Sequence, residues 1–162
     1  MTRSSTDAAS AALRIYLLGP PQITWRGEAL DLTRRQARAL LFYLAHTLEP
    51  ASRDRLAFYF WPDLPDLDAR HNLKRLLSTL RSALPDGSLL TVGRAAVGLD
   101  HARDWCDVAA FGELVEAADP VSWAQAVELY RGPFLDGFTL PDCPEYGDWQ
   151  FQVQAQAGQR YL

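Results

Sequence analysis

The pattern of hydrophobic positions changes its period along the chain. Between Leu13 and Leu32 apolar residues tend to alternate with other residues around two Gly-containing turns, which predicts two or three short antiparallel strands. From Thr33 onward the spacing becomes that of amphipathic helices. Three helices are predicted, opening at Thr33, at Ser52 and near Leu67.

The first two predicted helices carry start and stop signals. Thr33, with Gln36 three residues later, predicts a capping box, and the helix should end near His46 to Leu48, before Pro50. Ser52 is predicted to be the N-cap of the second helix, which Trp61-Pro62 should stop. Asp63, Asp66 and Asp68 precede or open the third helix, where we expect them to cap it and offset its dipole.

The third helix, near Leu67 to Leu84, commits one face to a core. Pro85-Asp86-Gly87 ends it, and two short apolar runs then flank Gly93-Arg94-Ala95-Ala96, as in a β-hairpin. Three helices followed by a hairpin are typical of a winged helix, which can place its third helix in the DNA major groove. The side chains expected in its core are Ala69, Leu73, Leu76, Leu77, Leu80 and Leu84.

Beyond Asp100 the chain becomes helical and acidic. Asp107 is predicted to cap a helix over Val108 to Ala117, and Asp119-Pro120 should open another over Val121 to Tyr130. A last helix from about Glu145 has glutamines at positions expected to be exposed. Paired helices of this length are how tetratricopeptide-like arrays begin. The residues expected to pack in the second of these helices are Trp123, Val127 and Tyr130.

The predicted fold is therefore α+β and predominantly α: a winged helix followed by tetratricopeptide-like helices. We divide the chain into a flexible leader at 1–12, a winged-helix domain at 13–100 and the start of a helical domain at 101–162. Residues 1–100 hold 13 of the 16 Lys and Arg but 10 of the 20 Asp and Glu, so the excess of carboxylates lies in the second domain. The two parts are expected to face different partners.

The polar face of the third helix is the candidate DNA-reading surface. Arginine can present two donors to guanine, asparagine can bridge adenine, and Lys or Arg can hold phosphate. The alternative is a solvated amphipathic face with no ligand. The predicted recognition residues are Arg70, His71, Asn72, Lys74, Arg75, Ser78 and Arg81, and the predicted phosphate or wing contacts are Arg34, Arg35, Arg38, Arg53, Arg55 and Arg94.

Seven segments together carry a resemblance to a known family. They are LRIYLLGPPQITWRGEALDL, QARALLFYLA, SRDRLAFYFWPD, DARHNLKRLLSTLRSALP, LLTVGRAAVGLD, DVAAFGELVEAA and LYRGPFLDGF. In this order they resemble the antibiotic regulatory protein (SARP) family of bacterial transcription activators. The resemblance implies a winged helix like the output domain of response regulators, followed by a bacterial transcriptional activator domain. It also implies binding to direct repeats in promoters and recruitment of RNA polymerase.

The matching positions on the recognition helix are Arg70, Asn72, Lys74, Ser78 and Arg81. The activator domain of that family extends through more helices than 162 residues allow. We therefore expect either that the chain is part of a longer protein, with its helical domain incomplete, or that it is an unusually short member. The sequence leaves open the promoter, the repeat spacing, the regulated pathway and any effector. It also leaves open whether one copy or a homodimer binds DNA.

Other chemistry has little support in the sequence. The glycines form neither a P-loop nor GxGxxG, the three histidines have no metal-ligand spacing, and the two cysteines are far apart and expected to be buried. We therefore expect no enzyme, metal, cofactor or small-molecule ligand. No signal peptide or membrane span is predicted, so the expected location is the cytoplasm. The competing interpretation is a protein-interaction scaffold whose winged helix has lost its affinity for DNA.

Overall fold

The computed structural model describes residues 13–161, and the predicted leader at 1–12 lies outside the described residues. Within this range the fold is mixed α+β, with six helices and two small sheets. The strands are β1 (Leu13–Tyr16), β2 (Gln22–Trp25), β3 (Glu28–Ala29), β4 (Ala51–Ser52), β5 (Leu89–Val92), β6 (Ala96–Leu99) and β7 (Trp105–Cys106). The helices are α1 (Arg35–His46), α2 (Arg53–Phe60), α3 (Asp66–Ala83), α4 (Asp107–Glu116), α5 (Pro120–Leu129) and α6 (Pro144–Tyr161).

The chain forms two compact units, neither of which is continuous in sequence. The hairpin unit consists of Asp31–Asp104 and Leu140–Gly147. The helix-pair unit consists of the residues up to Leu30, Trp105–Thr139 and the residues from Asp148 onward. This grouping differs from a single division near residue 100, because β1 to β3 cluster with residues that follow Asp104. The predicted separation of a winged-helix domain at 13–100 from a helical domain at 101–162 stays a prediction as far as function is concerned.

The hairpin unit is built around the apolar face of α3. All six side chains expected in its core are buried, as the helical spacing predicted. Tyr146, from the short segment that returns to this unit, is fully buried, and its hydroxyl donates a hydrogen bond of 2.9 Å to the carbonyl of Ala39 in α1. Its ring also packs edge-on against Phe60 of α2. These contacts join α1 and α2 through the side chain of Tyr146.

The predicted hairpin is confirmed and belongs to a sheet of order β4-β6-β5. Its register pairs Leu89 with Leu99 and Val92 with Ala96. Gly93, at the turn, has φ +61°, in the left-handed region that glycine adopts without steric cost. The short β4 was not predicted, because two residues carry no readable period.

The helix starts in this unit follow the sequence signals only in part. Ser52 caps α2 as predicted, since its hydroxyl accepts from the backbone N–H of Arg55 at 3.3 Å. The capping box at Thr33 is wrong: α1 begins after Arg34, and Gln36 accepts instead from the Arg34 guanidinium. Side-chain capping of α3 is also wrong, because its N-cap is Pro65 and no side chain bonds its free amides. Asp66 and Asp68 do lie in its first turn, where they offset the helix dipole.

The helix-pair unit contains a sheet of order β3-β2-β1-β7 and a core beside α4 and α5. The antiparallel strands β1 to β3 confirm the prediction, whereas the parallel pairing of β1 with β7 was not expected. The core cluster joins Leu18, Phe111, Ala126 and Ala157. Asp119 caps α5 as predicted, accepting from the backbone N–H of Ser122 at 2.9 Å.

Two predictions about side chains in the helix-pair unit are wrong. Asp107 does not cap α4; its buried carboxylate accepts from the backbone N–H groups of Leu17 at 2.8 Å and Leu18 at 2.9 Å. Burial raises the pKa of Asp107 to about 6, against the opposing effect of these hydrogen bonds. Trp123 and Val127 are more than half exposed, because the buried side of α5 is centred on Ala126.

The glutamines of α6 also differ from expectation. Gln150 and Gln154 are half-buried, and their side-chain amides donate to the carbonyls of Phe138 and Phe134, each at 2.8 Å. These two hydrogen bonds attach the connection that precedes α6 to the helix itself. Gln152 and Gln156 are exposed, as predicted.

Candidate nucleic-acid interface

The polar face of α3 is open to solvent in the hairpin unit. At a rise of 1.5 Å per residue, the stretch from Arg70 to Arg81 is about 16 Å long. Within this stretch the charged side chains are all cationic, since Asp66 and Asp68 lie one turn earlier. Of the seven predicted recognition residues, Asn72 is half-buried and six are exposed: Arg70, His71, Lys74, Arg75, Ser78 and Arg81.

The hairpin is held beside α3 and the start of α2 by two contacts. The guanidinium of Arg81 donates to the hydroxyl of Thr91 in β5 at 3.3 Å. The backbone N–H of Arg53 donates to the carbonyl of Ala95, next to Arg94 at the hairpin tip, at 2.8 Å. The structure thereby brings the C-terminal half of α3, the start of α2 and the hairpin into one surface.

An ion pair links α2 to the N-terminal half of α3. The Nε atom of Arg70 lies 3.1 Å from a carboxylate oxygen of Asp54, and the two side chains are 60% and 73% exposed. An exposed pair of this kind contributes between zero and about 1 kcal/mol of stability. Arg70 is therefore accessible but already has an anionic partner, which competes with any phosphate.

The predicted phosphate contacts divide into two groups. Arg55 and Arg94 are exposed, and Arg53 is half-buried, at the junction of α2 and the hairpin. Arg34 and Arg35 are exposed and Arg38 is half-buried near the start of α1. Asp54, Thr91 and Ala95 are the partners of Arg70, Arg81 and Arg53 in the contacts described above.

Asp54 and Thr91 are the two site residues that sequence reasoning missed. Asp54 lies in the first turn of α2, where a carboxylate favours the helix dipole, and Thr91 lies in β5. Their partners lie 16 and 10 positions away, beyond the reach of a helical or strand period. A signal for Thr91 existed only in the hairpin prediction, which placed β5 directly after α3.

The hairpin unit as a whole contains as many Lys and Arg residues as Asp and Glu residues. Acidic side chains nevertheless gather where α2 connects to α3, whereas the charged side chains from Arg70 to Arg81 are all cationic. A cavity of about 210 Å³ lies at the connection of α2 to α3, lined in part by Asp54, Asp66, the rings of Phe58 and Trp61, and Arg70 from the cationic face. The unit therefore presents a cationic surface on α3 next to an acidic and aromatic one.

Comparison with known proteins places this architecture among solved folds. No protein-family model matches the chain, and no curated protein sequence matches it. The fold resembles that of a solved structure, in agreement with the SARP resemblance that the sequence carries. A solved structure of Mycobacterium tuberculosis EmbR in complex with a low-affinity phosphopeptide is similar, with a TM-score of 0.67 and 23% sequence identity.

The similarity to EmbR covers 93% of this chain but 44% of the EmbR chain. The chain therefore spans less than half of the length of that protein, and the likeness concerns the fold. Within residues 13–161, no helix is both long and apolar enough to cross a lipid bilayer.

Proposed function

We propose that the protein is a sequence-specific DNA-binding transcriptional regulator of the SARP type, and that its hairpin unit acts as a winged helix. The observation that carries this proposal is the exposed cationic face of α3, with the hairpin fastened beside it through Arg81 and Thr91. The SARP-like fold supports it. A helix of this exposure and length can enter the major groove, which is about 12 Å wide.

In this proposal the side chains of α3 divide the work of reading bases and holding the backbone. Arg75 and Lys74, near the middle of the helix, reach the base edges, where arginine donates two hydrogen bonds to guanine. Arg94, at the hairpin tip, contacts a neighbouring phosphate, and Arg53 and Arg55 hold the backbone at the start of α2. For DNA binding, the grouping of these cations on one surface matters more than the net charge of −4, because salt screens the interaction between a phosphate and a charge more than about 10 Å away.

The further steps of the proposal concern activation. The paired helices α4 and α5 are the beginning of a tetratricopeptide-like array that contacts protein, with RNA polymerase as the expected partner. Binding to direct repeats would place two copies side by side, so a homodimer on DNA is part of the same proposal. The protein acts in the cytoplasm as a regulator and not as an enzyme.

Fluorescence-anisotropy titration with a specific duplex at several salt concentrations tests DNA binding. Arg75→Ala should cost about 1 to 3 kcal/mol at one base pair and relax specificity there. Arg94→Ala should weaken binding to all sequences alike and reduce the salt slope by about one. Equal effects of both variants on every sequence would contradict the proposed division of roles.

The second candidate function is a protein-interaction scaffold without DNA affinity. It is favoured by the apolar side chains that α5 exposes, Trp123 and Val127. Retention on a DNA column at low salt distinguishes the two functions. The DNA-binding regulator should be retained and released by salt, whereas the scaffold should pass through.

A further inference from the structure

The outward face of α5 carries an apolar stripe in the helix-pair unit. Pro120, Trp123, Ala124 and Val127 recur at the spacing that places residues on one side of a helix, and all four are exposed. Trp123 and Val127 are 53% and 54% exposed. We call these four residues the Trp123 stripe. Contiguous apolar surface of this kind marks interaction sites more often than scattered apolar residues do.

The Trp123 stripe is held in position by contacts with its surroundings. The indole N–H of Trp123 reaches the carbonyl of Val115 in α4 at 3.4 Å, which satisfies its polar atom and leaves the ring outside. Asp119 fixes the start of α5 by accepting from both the N–H and the hydroxyl of Ser122. An aromatic ring positioned before binding loses little conformational entropy on contact, which is a property of binding hot spots.

The charged residues of α4, α5 and their connection have one sign. Residues 107–130, which form α4, α5 and their connection, contain five Asp and Glu residues and no Lys, Arg or His. Asp107 is buried and Asp119 is used as a cap, while the exposed carboxylates are Glu113, Glu116 and Glu128. A partner that covers the stripe therefore meets carboxylates and no cation from this helix pair.

We propose that the Trp123 stripe is a docking site for an amphipathic helix with basic flanks on a partner protein. The partner helix carries apolar residues at i, i+3, i+4 and i+7 against Trp123 and Val127, and Lys or Arg beside them. This is the helix-docking mode of peptide recognition, with charge complementarity selecting the partner. The proposal concerns the helix-pair unit and does not depend on DNA binding by the hairpin unit.

Three labelled peptides test the proposal by fluorescence anisotropy with the full chain. The first has Leu at i, i+3, i+4 and i+7 of a helix with Lys and Arg elsewhere; the second is its scrambled sequence; the third replaces every cation by Glu. We expect the first peptide to bind at least tenfold more tightly than the other two, with affinity that falls as salt rises. If the first and the scrambled peptides bind equally, the binding is non-specific charge attraction, and the proposal is overturned.

Matched variants of α5 locate the binding site. Trp123→Ala and Val127→Ser should each weaken binding of the first peptide at least tenfold. Val121→Ser is the control, because Val121 is 69% exposed on α5 but lies about 160° from Trp123 and about 120° from Val127 around the helix axis. Circular dichroism should show the same helix content in all variants, and Val127→Ser keeps the test valid if Trp123→Ala fails to fold. Loss of affinity in the control alone, or concentration-dependent self-association that the stripe variants abolish, would contradict a partner helix.

Discussion

The ion pair between Asp54 and Arg70 should restrain DNA binding, so Asp54→Asn should strengthen it. The substitution keeps the shape of the side chain but removes the carboxylate that lies 3.1 Å from the Arg70 guanidinium. Because both side chains are mostly exposed, releasing the pair costs at most about 1 kcal/mol of stability. The substitution also removes the repulsion between the Asp54 carboxylate and a DNA phosphate, which is about 0.6 kcal/mol in water at a separation of about 7 Å.

Together these two effects amount to about 1 kcal/mol, which is roughly a fivefold increase in affinity for duplex DNA. The freed Arg70 can also neutralise one more phosphate, so the slope of log K against log salt should steepen by about one. Anisotropy titration between low and moderate salt measures both quantities. The matched control is Asp86→Asn, which removes the same charge from an exposed carboxylate beyond the other end of α3.

The two variants separate a specific effect from a general one. If Asp54→Asn and Asp86→Asn raise the affinity equally, net charge alone accounts for the change. If Asp54→Asn leaves both affinity and salt slope unchanged, Arg70 does not meet DNA and the assignment of this half of α3 is wrong. Unfolding curves of both variants should coincide with the native curve to within about 1 kcal/mol.

Two further predictions concern stability. Asp107→Asn should lower the unfolding free energy by about 1 to 3 kcal/mol near pH 4. The carboxyl is protonated there, but both of its oxygens keep a lone pair for the N–H groups of Leu17 and Leu18, whereas the amide nitrogen has none. Burial raises the folded-state pKa of Asp107 to about 6, so the contribution of Asp107 to the unfolding free energy declines as pH rises from about 4 to 6. Urea unfolding should show that the loss caused by Asp107→Asn shrinks over the same range. A loss independent of pH would refute this. Tyr146→Phe should cost about 1 kcal/mol by removing the hydrogen bond to Ala39, and an unchanged urea midpoint would show that this bond contributes nothing.

The elements that could be predicted from the sequence are those whose information is local. The leucines from Leu73 to Leu84 repeat at helical spacing over about three turns, and the hairpin has its glycine at the turn, so both follow from the residues themselves. The pairing of β1 with β7 joins residues about 90 positions apart through a strand of two residues. No local pattern encodes such a contact.

The errors at Asp107 and Trp123 have a common physical origin. An aspartate before an apolar helical run favours a cap, but the two residues after β1, Leu17 and Leu18, offer Asp107 backbone donors that lie beyond the antiparallel ladder. An aromatic residue in a helix favours the core, but the small side chain of Ala126 lets α5 approach its neighbours on the opposite side. In both cases the tertiary environment outweighs a local preference.

At the candidate site, the cationic face of α3 was predictable and its partners were not. Spacing alone puts Arg70, Lys74 and Arg81 on the polar side of an amphipathic helix. Whether each guanidinium is free depends on Asp54 and Thr91, which come from α2 and β5. The sequence therefore predicts the polar face of α3 but not which of its cations already has a partner within the protein.

Selection of bound sequences from random duplexes tests the central claim most directly, because it measures binding and specificity together. The protein should enrich a defined motif, and footprinting should show protection in the major groove together with adjacent backbone contacts from the hairpin. The salt slope on that motif should correspond to several phosphate contacts. Failure to enrich any motif, with a salt slope near zero, would contradict the assignment of α3 as a DNA-reading helix.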